Sequence, residues 1–281
     1  MQIINTAKKF IKWKKSKPET IGFVPTMGAL HKGHLSLIEL SKSMCKKTVV
    51  SIFLNPTQFS PNEDLNSYPK TLNKDILELQ KLTVDVLFLP TENEMYNNVK
   101  NVQVPSSVLF QKLEGASRPH FFNGVTTIVS KLFNVIEPSH TFFGEKDIQQ
   151  LIVINNMIKN MKYPIRLVSC PTIRNKNGLA LSSRNQHLSS LEQKEAPVIY
   201  QGLMNIKTQI LGGERNPKKL KQGFVKKLSN YPNLTVDYIS IACFNTLNEI
   251  ETIQDKKLII SAAVFFKTVR LIDNIVYQSS M

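Results

Sequence analysis

Two histidines three residues apart, His31 and His34, stand where an apolar run, Ile21-Gly22-Phe23-Val24-Pro25, gives way through Gly28 to a segment with helical spacing, Leu35-Ser36-Leu37-Ile38-Glu39-Leu40. A strand, a glycine-bearing turn and a helix start make a place for an anion, because orphan backbone N–H groups and the positive end of the helix dipole both point at it. Imidazoles at that position can donate to phosphate oxygens. Three further groups of residues offer compatible chemistry. Gln58 follows the strand-stopping pair Asn55-Pro56 and carries both donors and an acceptor, which suits a ligand bearing hydroxyls beside a carboxylate. Lys146 follows Phe143-Gly144-Glu145 and supplies a compact positive charge, while Asp147 beside it could cap a helix or meet a ribose hydroxyl, and Gln150 would face the same pocket as Gln58. Ser182-Ser183-Arg184 sets two hydroxyls and a guanidinium in a row, able to grip several phosphate oxygens with bidentate geometry from the arginine.

The elements that must position these groups can be read from the pattern. Apolar runs at 21–24, 48–54, 84–89, 140–143 and 165–169 predict strands, and helical spacing at 35–45, 72–82, 125–136 and 148–161 predicts the helices among them. Strands alternating with helices of this length read as an α/β fold, a Rossmann-like parallel sheet with helices on both faces. In such sheets ligands sit beyond the carboxyl ends of the strands, which is where the candidate residues fall. Ahead of the sheet, residues 2–15 read as one amphipathic helix with Ile3, Ile4, Phe10, Ile11 and Trp13 as its apolar positions. After the polar turn Arg174-Asn175-Lys176-Asn177-Gly178 the character changes to helical patterns at 191–211 and 217–228 and β-like runs at 235–244, 257–266 and 269–277. The expected organisation is therefore a first domain over residues 1–175 and a smaller α+β C-terminal domain over 176–281.

The totals bound the rest. With 281 residues, 42% of them hydrophobic, the chain can bury a full core. The charge of +15 comes from 36 basic against 21 acidic residues, mostly lysines in short scattered runs such as 218–221, without aromatic interleaving. That pattern argues for a solvated basic surface that favours anionic substrates, and no nucleic-acid partner is expected. No apolar run is long enough to span a bilayer and no signal-peptide core follows the N-terminal lysines, so no membrane partner is expected and the location is read as cytoplasmic. Cys45, Cys170 and Cys243 lie far apart with no metal-ligand or redox spacing, which predicts reduced core thiols and no protein-held metal.

The string Pro25-Thr26-Met27-Gly28-Ala29-Leu30-His31-Lys32-Gly33-His34-Leu35 resembles the signature of the pantoate–β-alanine ligases, within the nucleotidyltransferase superfamily, whose members share the His-x-Gly-His turn. The likeness continues through Asn55-Pro56-Thr57-Gln58, the loop 113–122, Phe143-Gly144-Glu145-Lys146-Asp147-Ile148-Gln149-Gln150, and Gly178-Leu179-Ala180-Leu181-Ser182-Ser183-Arg184, and it resumes at Arg270-Leu271-Ile272-Asp273-Asn274. In the loop 113–122 His120 stands one place earlier than the family pattern, with Phe121 where the histidine is usual.

The resemblance implies ATP-dependent joining of pantoate to β-alanine through a pantoyl adenylate, releasing AMP and pyrophosphate. It implies that Met27, Gly28, His31, His34, Gly144, Lys146, Asp147, Ile173, Leu181, Ser182, Ser183 and Arg184 bind ATP. His34, His31, Lys146 and Arg184 would be the catalytic groups, with His34 also a proton donor. Gln58, Asn55 and Gln150 would hold pantoate or β-alanine. Magnesium would be bound through the ATP phosphates, the smaller domain would serve as a lid, and the chain would form a homodimer. Two other functions compete with this reading: nucleotide transfer to a different acceptor, and a nucleic-acid-binding role on an inactive scaffold.

Overall fold

The computed structural model describes residues 1–16, 19–60, 65–100, 102–254 and 257–279. The chain divides into two compact units. The first comprises Met1–Phe110, Arg118–Glu145 and Gln149–Pro171; the second comprises Gln111–Ser117, Lys146–Ile148 and Thr172–Met281.

The first unit is built on β1 (Gln2–Ile4), β2 (Ile21–Thr26), β3 (Lys47–Ile52), β4 (Val86–Phe88), β5 (His140–Gly144) and β6 (Arg166–Cys170). These strands pair in parallel in the order β1-β4-β3-β2-β5-β6. Successive residues alternate between two cores. Phe23, Val49, Val86, Phe88 and Phe143 pack with residues of α1 (Ala7–Lys15), α5 (Phe121–Ile136) and α6 (Ile148–Asn160). Val24, Val50, Leu87 and Phe142 pack with residues of α2 (Lys32–Met44) and α3 (Leu72–Lys81). The period-two alternation of buried side chains is what a sheet covered on both faces requires. Chain order reverses between β2 and β5, which makes their carboxyl ends the topological switch point where ligands of such sheets bind.

The N-terminus corrects the expectation of a single helix over residues 2–15. Gln2–Ile4 is an edge strand whose residues pair with Val86, Leu87 and Phe88. Ile4 is buried while Ile3 is half exposed, a two-residue alternation that a three-residue strand is too short to announce. Thr6 then caps α1 by accepting from the Lys9 N–H, and Ile11, read as part of an apolar face, is exposed.

The second unit pairs β7 (Leu234–Cys243), β8 (Leu258–Phe266) and β9 (Val269–Tyr277) in an antiparallel sheet of that order. Its core joins Ile241, Ile260, Ala262, Val264 and Leu271 to residues of α8 (Val198–Leu211) and α9 (Pro217–Leu228). Short helices α4 (Leu113–Ser117) and α7 (Ser190–Glu195) complete the chain. No helix among the described residues is long and apolar enough to cross a membrane. Cys45, Cys170 and Cys243 form no disulfide, and burial pushes the Cys170 thiol up to about 11.

Candidate active site

The turn leaving β2 is fixed from beneath. Gly28 has φ +83°, a conformation that favours glycine, and a Cβ there would lie 3.2 Å from the Asp75 carboxylate. Asp75, buried on α3, accepts from the backbone N–H groups of Ala29 and Leu30 at 2.9 Å each and from the Thr71 hydroxyl at 3.0 Å. One carboxylate thus satisfies two backbone donors in a turn that has no ladder partner for them. Asp75→Asn would place an amide donor against one of these N–H groups and cost about 2 kcal/mol. The expected result is a lowered denaturation midpoint; an unchanged midpoint would remove Asp75 from this role.

Beyond that turn, the two histidines build the helix cap themselves. His31 is the N-cap of α2; its Nδ1 accepts from the Gly33 N–H at 3.1 Å, and the Nδ1 of His34 accepts from the His31 N–H at 3.3 Å. The rings lie with centroids 4.0 Å apart. An Nδ1 that accepts leaves the neutral ring with its proton on Nε2, so both imidazoles carry Nε2–H donors at the positive end of a helix. The pair belongs to the structure of the turn as well as to its chemistry.

Gln58 sits in a short turn after β3, and its amide is oriented by neighbours. Asn55, 1% exposed, donates from Nδ2 to the backbone carbonyl of Gly124 and to Oε1 of Gln58, at 3.2 Å each. The Oδ1 of Asn55 accepts from Thr57 and Tyr96. Nε2 of Gln58 lies 2.9 Å from the sulfur of Met27, which brings the Gln58 and Met27 side chains together. Arg118 donates to the Gln58 carbonyl at 3.3 Å and stacks on Phe121. His120 takes a left-handed conformation, φ +72°, at the start of α5.

At the end of β5, Gly144 has open space where a Cβ would stand. Gln149 is buried and its side chain donates to the Leu109 carbonyl at 2.8 Å, whereas the Gln150 side chain, half-buried, makes no hydrogen bond among the described residues. The glutamine pair divides into one structural and one available amide.

The second unit holds the remaining candidates. Lys146 lies 3.6 Å from the Asp147 carboxylate, and its backbone carbonyl accepts from the Asn274 side chain at 2.9 Å. The polar run 174–178 forms the tip of a short hairpin, closed by Arg174 bridging Ala180 and by the Leu181 N–H donating to the Ile173 carbonyl at 2.9 Å. Arg174 grips Asp273 bidentately at 2.6 and 2.7 Å and stacks on Tyr200. Ser182 caps the turn 183–187 by accepting from the Arg184 N–H at 3.3 Å, and Ser183 is buried.

Strand β9 anchors four segments of this unit. Arg270 holds Glu114 and Asp237, Asp273 holds Arg174, and Asn274 holds Lys146. Sequence reasoning misses Asp75, Tyr96 and these side-chain anchors, although the Arg270–Asn274 string itself is visible.

The family model for pantoate-beta-alanine ligase matches residues 2–276. The chain belongs to the pantoate–β-alanine ligase family. Among curated members of that family, it is 44% identical over 276 residues to the pantothenate synthetase of Fervidobacterium nodosum, with 98% of each chain covered. It is 42% identical over 277 residues to that of Thermotoga petrophila, covering 98% of this chain and 99% of the other. Among solved ligases, the pantothenate synthetase of Thermus thermophilus superposes with TM-score 0.91 at 37% identity, over 98% of this chain and 99% of the other. The pantoate-beta-alanine ligase of Francisella tularensis, solved with beta-gamma ATP and beta-alanine, gives TM-score 0.78 at 37% identity, over 98% and 97%.

Proposed function

We propose that the chain forms pantothenate from pantoate and β-alanine at the expense of ATP. A carboxylate cannot acylate an amine directly, because oxide would have to leave. In this reading a pantoate carboxylate oxygen bonds to the α-phosphorus of ATP and the bond to the β-phosphate oxygen breaks, releasing pyrophosphate. The neutral β-alanine nitrogen then bonds to the acyl carbon, the bond to the AMP oxygen breaks, and the nitrogen loses a proton to water. No covalent enzyme intermediate is needed, so the protein contributes placement and charge stabilisation.

The observation that carries the reading is the histidine cap. His31 and His34 hold Nε2–H donors at the N-terminus of α2, beside the switch point of the sheet, where phosphate oxygens are best received. His34 would also serve as proton donor, and Met27 and Gly28 would supply backbone contacts. Gln58 and Gln150 would orient pantoate, with Asn55 setting the direction of Gln58. In the second unit Lys146, Ser182, Ser183 and Arg184 would hold the triphosphate and Ile173 and Leu181 the adenine side. Gly144 would admit the nucleotide closely and Asp147 would meet the ribose or balance Lys146. Shielding the adenylate from water falls to the smaller unit.

Magnesium would arrive on the triphosphate, its shell completed by phosphate oxygens and water. Among the described residues no three His, Cys, Asp or Glu side chains converge to hold a metal ion. The family's biosynthetic role supports a cytoplasmic location, and the same likeness supports a homodimer.

Pantoate-dependent exchange of labelled pyrophosphate into ATP, measured without β-alanine, tests the proposal. Exchange is expected with pantoate and not without it; its absence, or exchange driven equally by an unrelated acid, would overturn the reading.

A further inference from the structure

The polarity of the Gln58 amide can be traced to a group that cannot flip. A backbone carbonyl only accepts, so the Gly124 carbonyl fixes Nδ2 of Asn55 towards itself. The second proton of that nitrogen meets the Oε1 of Gln58, which leaves Nε2, the donor-only end, turned away from Asn55 and set against the Met27 sulfur. On the opposite side, the Oδ1 of Asn55 is held at 2.5 Å by the Tyr96 hydroxyl, which is also 2.8 Å from the Thr57 hydroxyl.

Tyr96 is placed by a buried cation. It lies on the π-helical turn Glu94–Asn98, and Nζ of Lys131, a side chain on α5 with no exposed surface, donates at 2.9 Å to the carbonyls of Met95 and Val99 at that turn. The cradle of the ammonium is thus built from backbone. Removing the charge from water pulls its pKa down. A lysine held this deep in an apolar helix needs a reason, and the two carbonyls it fastens bracket the residue whose hydroxyl reaches Asn55.

We propose that Tyr96 is a positioning residue for the acid substrate, holding Asn55 so that Gln58 presents N–H groups, not its carbonyl oxygen, to an incoming carboxylate or hydroxyl. The inference rests on the reading that Gln58 contacts pantoate. It explains how the site discriminates in favour of an anionic acceptor: with the amide reversed, an oxygen would face an oxygen. Tyr96 acts through Asn55 and touches no reacting atom.

The test is a double-mutant cycle on the full chain, with Tyr96→Phe, Gln58→Ala and the pair, measuring KM for pantoate and for ATP separately alongside thermal melts. Tyr96→Phe is expected to raise KM for pantoate about fivefold, the worth of one hydrogen bond, with KM for ATP unchanged. In the pair, Tyr96→Phe is expected to add nothing beyond Gln58→Ala, because its effect runs through that amide. Multiplying effects would overturn the inference, as would a lowered melting temperature with unchanged KM for pantoate. If Gln58→Ala itself leaves KM for pantoate unchanged, the reading of Gln58 fails; if Gln58→Ala raises it and Tyr96→Phe does not, only the inference fails.

Discussion

Replacing His34 by glutamine leaves the helix cap standing and lowers kcat/KM by about 10²–10³, the usual cost of removing one preorganised donor from developing phosphate charge. The choice of glutamine matters because His34 has two jobs on two nitrogens. Its Nδ1 accepts from the His31 N–H at the third helical position, where a Gln side chain commonly makes the same reach-back bond. Its Nε2–H is the donor assigned to phosphate, and glutamine does not place a donor there. His34→Ala removes both and should lose a further ~1 kcal/mol of stability. The measurements are steady-state kinetics and a denaturant titration for each variant. If glutamine preserves the midpoint and also preserves turnover, the imidazole is a structural cap and the catalytic assignment is wrong.

The second large effect is on stability. Arg270 of β9 donates to Glu114 at 2.6 and 3.1 Å and to Asp237 at 2.6 and 3.0 Å, and Tyr238 donates to Glu114 at 2.8 Å. Burial alone would lower the pKa of the guanidinium, but the hydrogen bonds and charge of Glu114, then Asp237, outweigh it and hold the pKa raised. Burial raises the Tyr238 hydroxyl and the Glu114 charge raises it further, so it stays a donor. Arg270→Met strands two carboxylates, of which Glu114 is 10% exposed, and should cost about 3–5 kcal/mol. A melting temperature lower by roughly 10 °C is the corresponding shift for a protein of this size. Adding Glu114→Gln removes the stranded charge and should recover part of the loss. A single variant as stable as the parent would mean the cluster is solvated in solution.

These two cases show what a linear reading reveals and what it misses. His31 and His34 announce themselves because turn, cap and chemistry occupy consecutive residues, and the parallel sheet is legible because each strand's apolar run is local. Asp75 cannot be found that way. It lies 46 residues from Ala29 and looks like any acidic residue in the first turn of a helix. Lys131 interrupts an apolar helix without a sequence partner, since its acceptors are backbone carbonyls and carry no residue identity. Gln2–Ile4 blends into the following helix because three residues cannot show a period, and Thr6 is the break that separates them. Arg270, Asp273 and Asn274 form a recognisable string, but that each binds a different distant segment emerges only once the strand is folded.

Gly124 sets a close tolerance in the first unit. A methyl group there would stand 2.5 Å from the Thr57 carbonyl oxygen and 2.8 Å from the Gln58 nitrogen, so helix and turn meet main chain against main chain. The same residue's carbonyl dictates which end of the amide network is which. Distance and polarity of the amide proposed to bind the acid thus share one origin, and neither can drift while the other stays. Evolving this scaffold towards bulkier acids would have to proceed by trimming side chains around the substrate, since the wall that carries Gln58 has no slack to retreat.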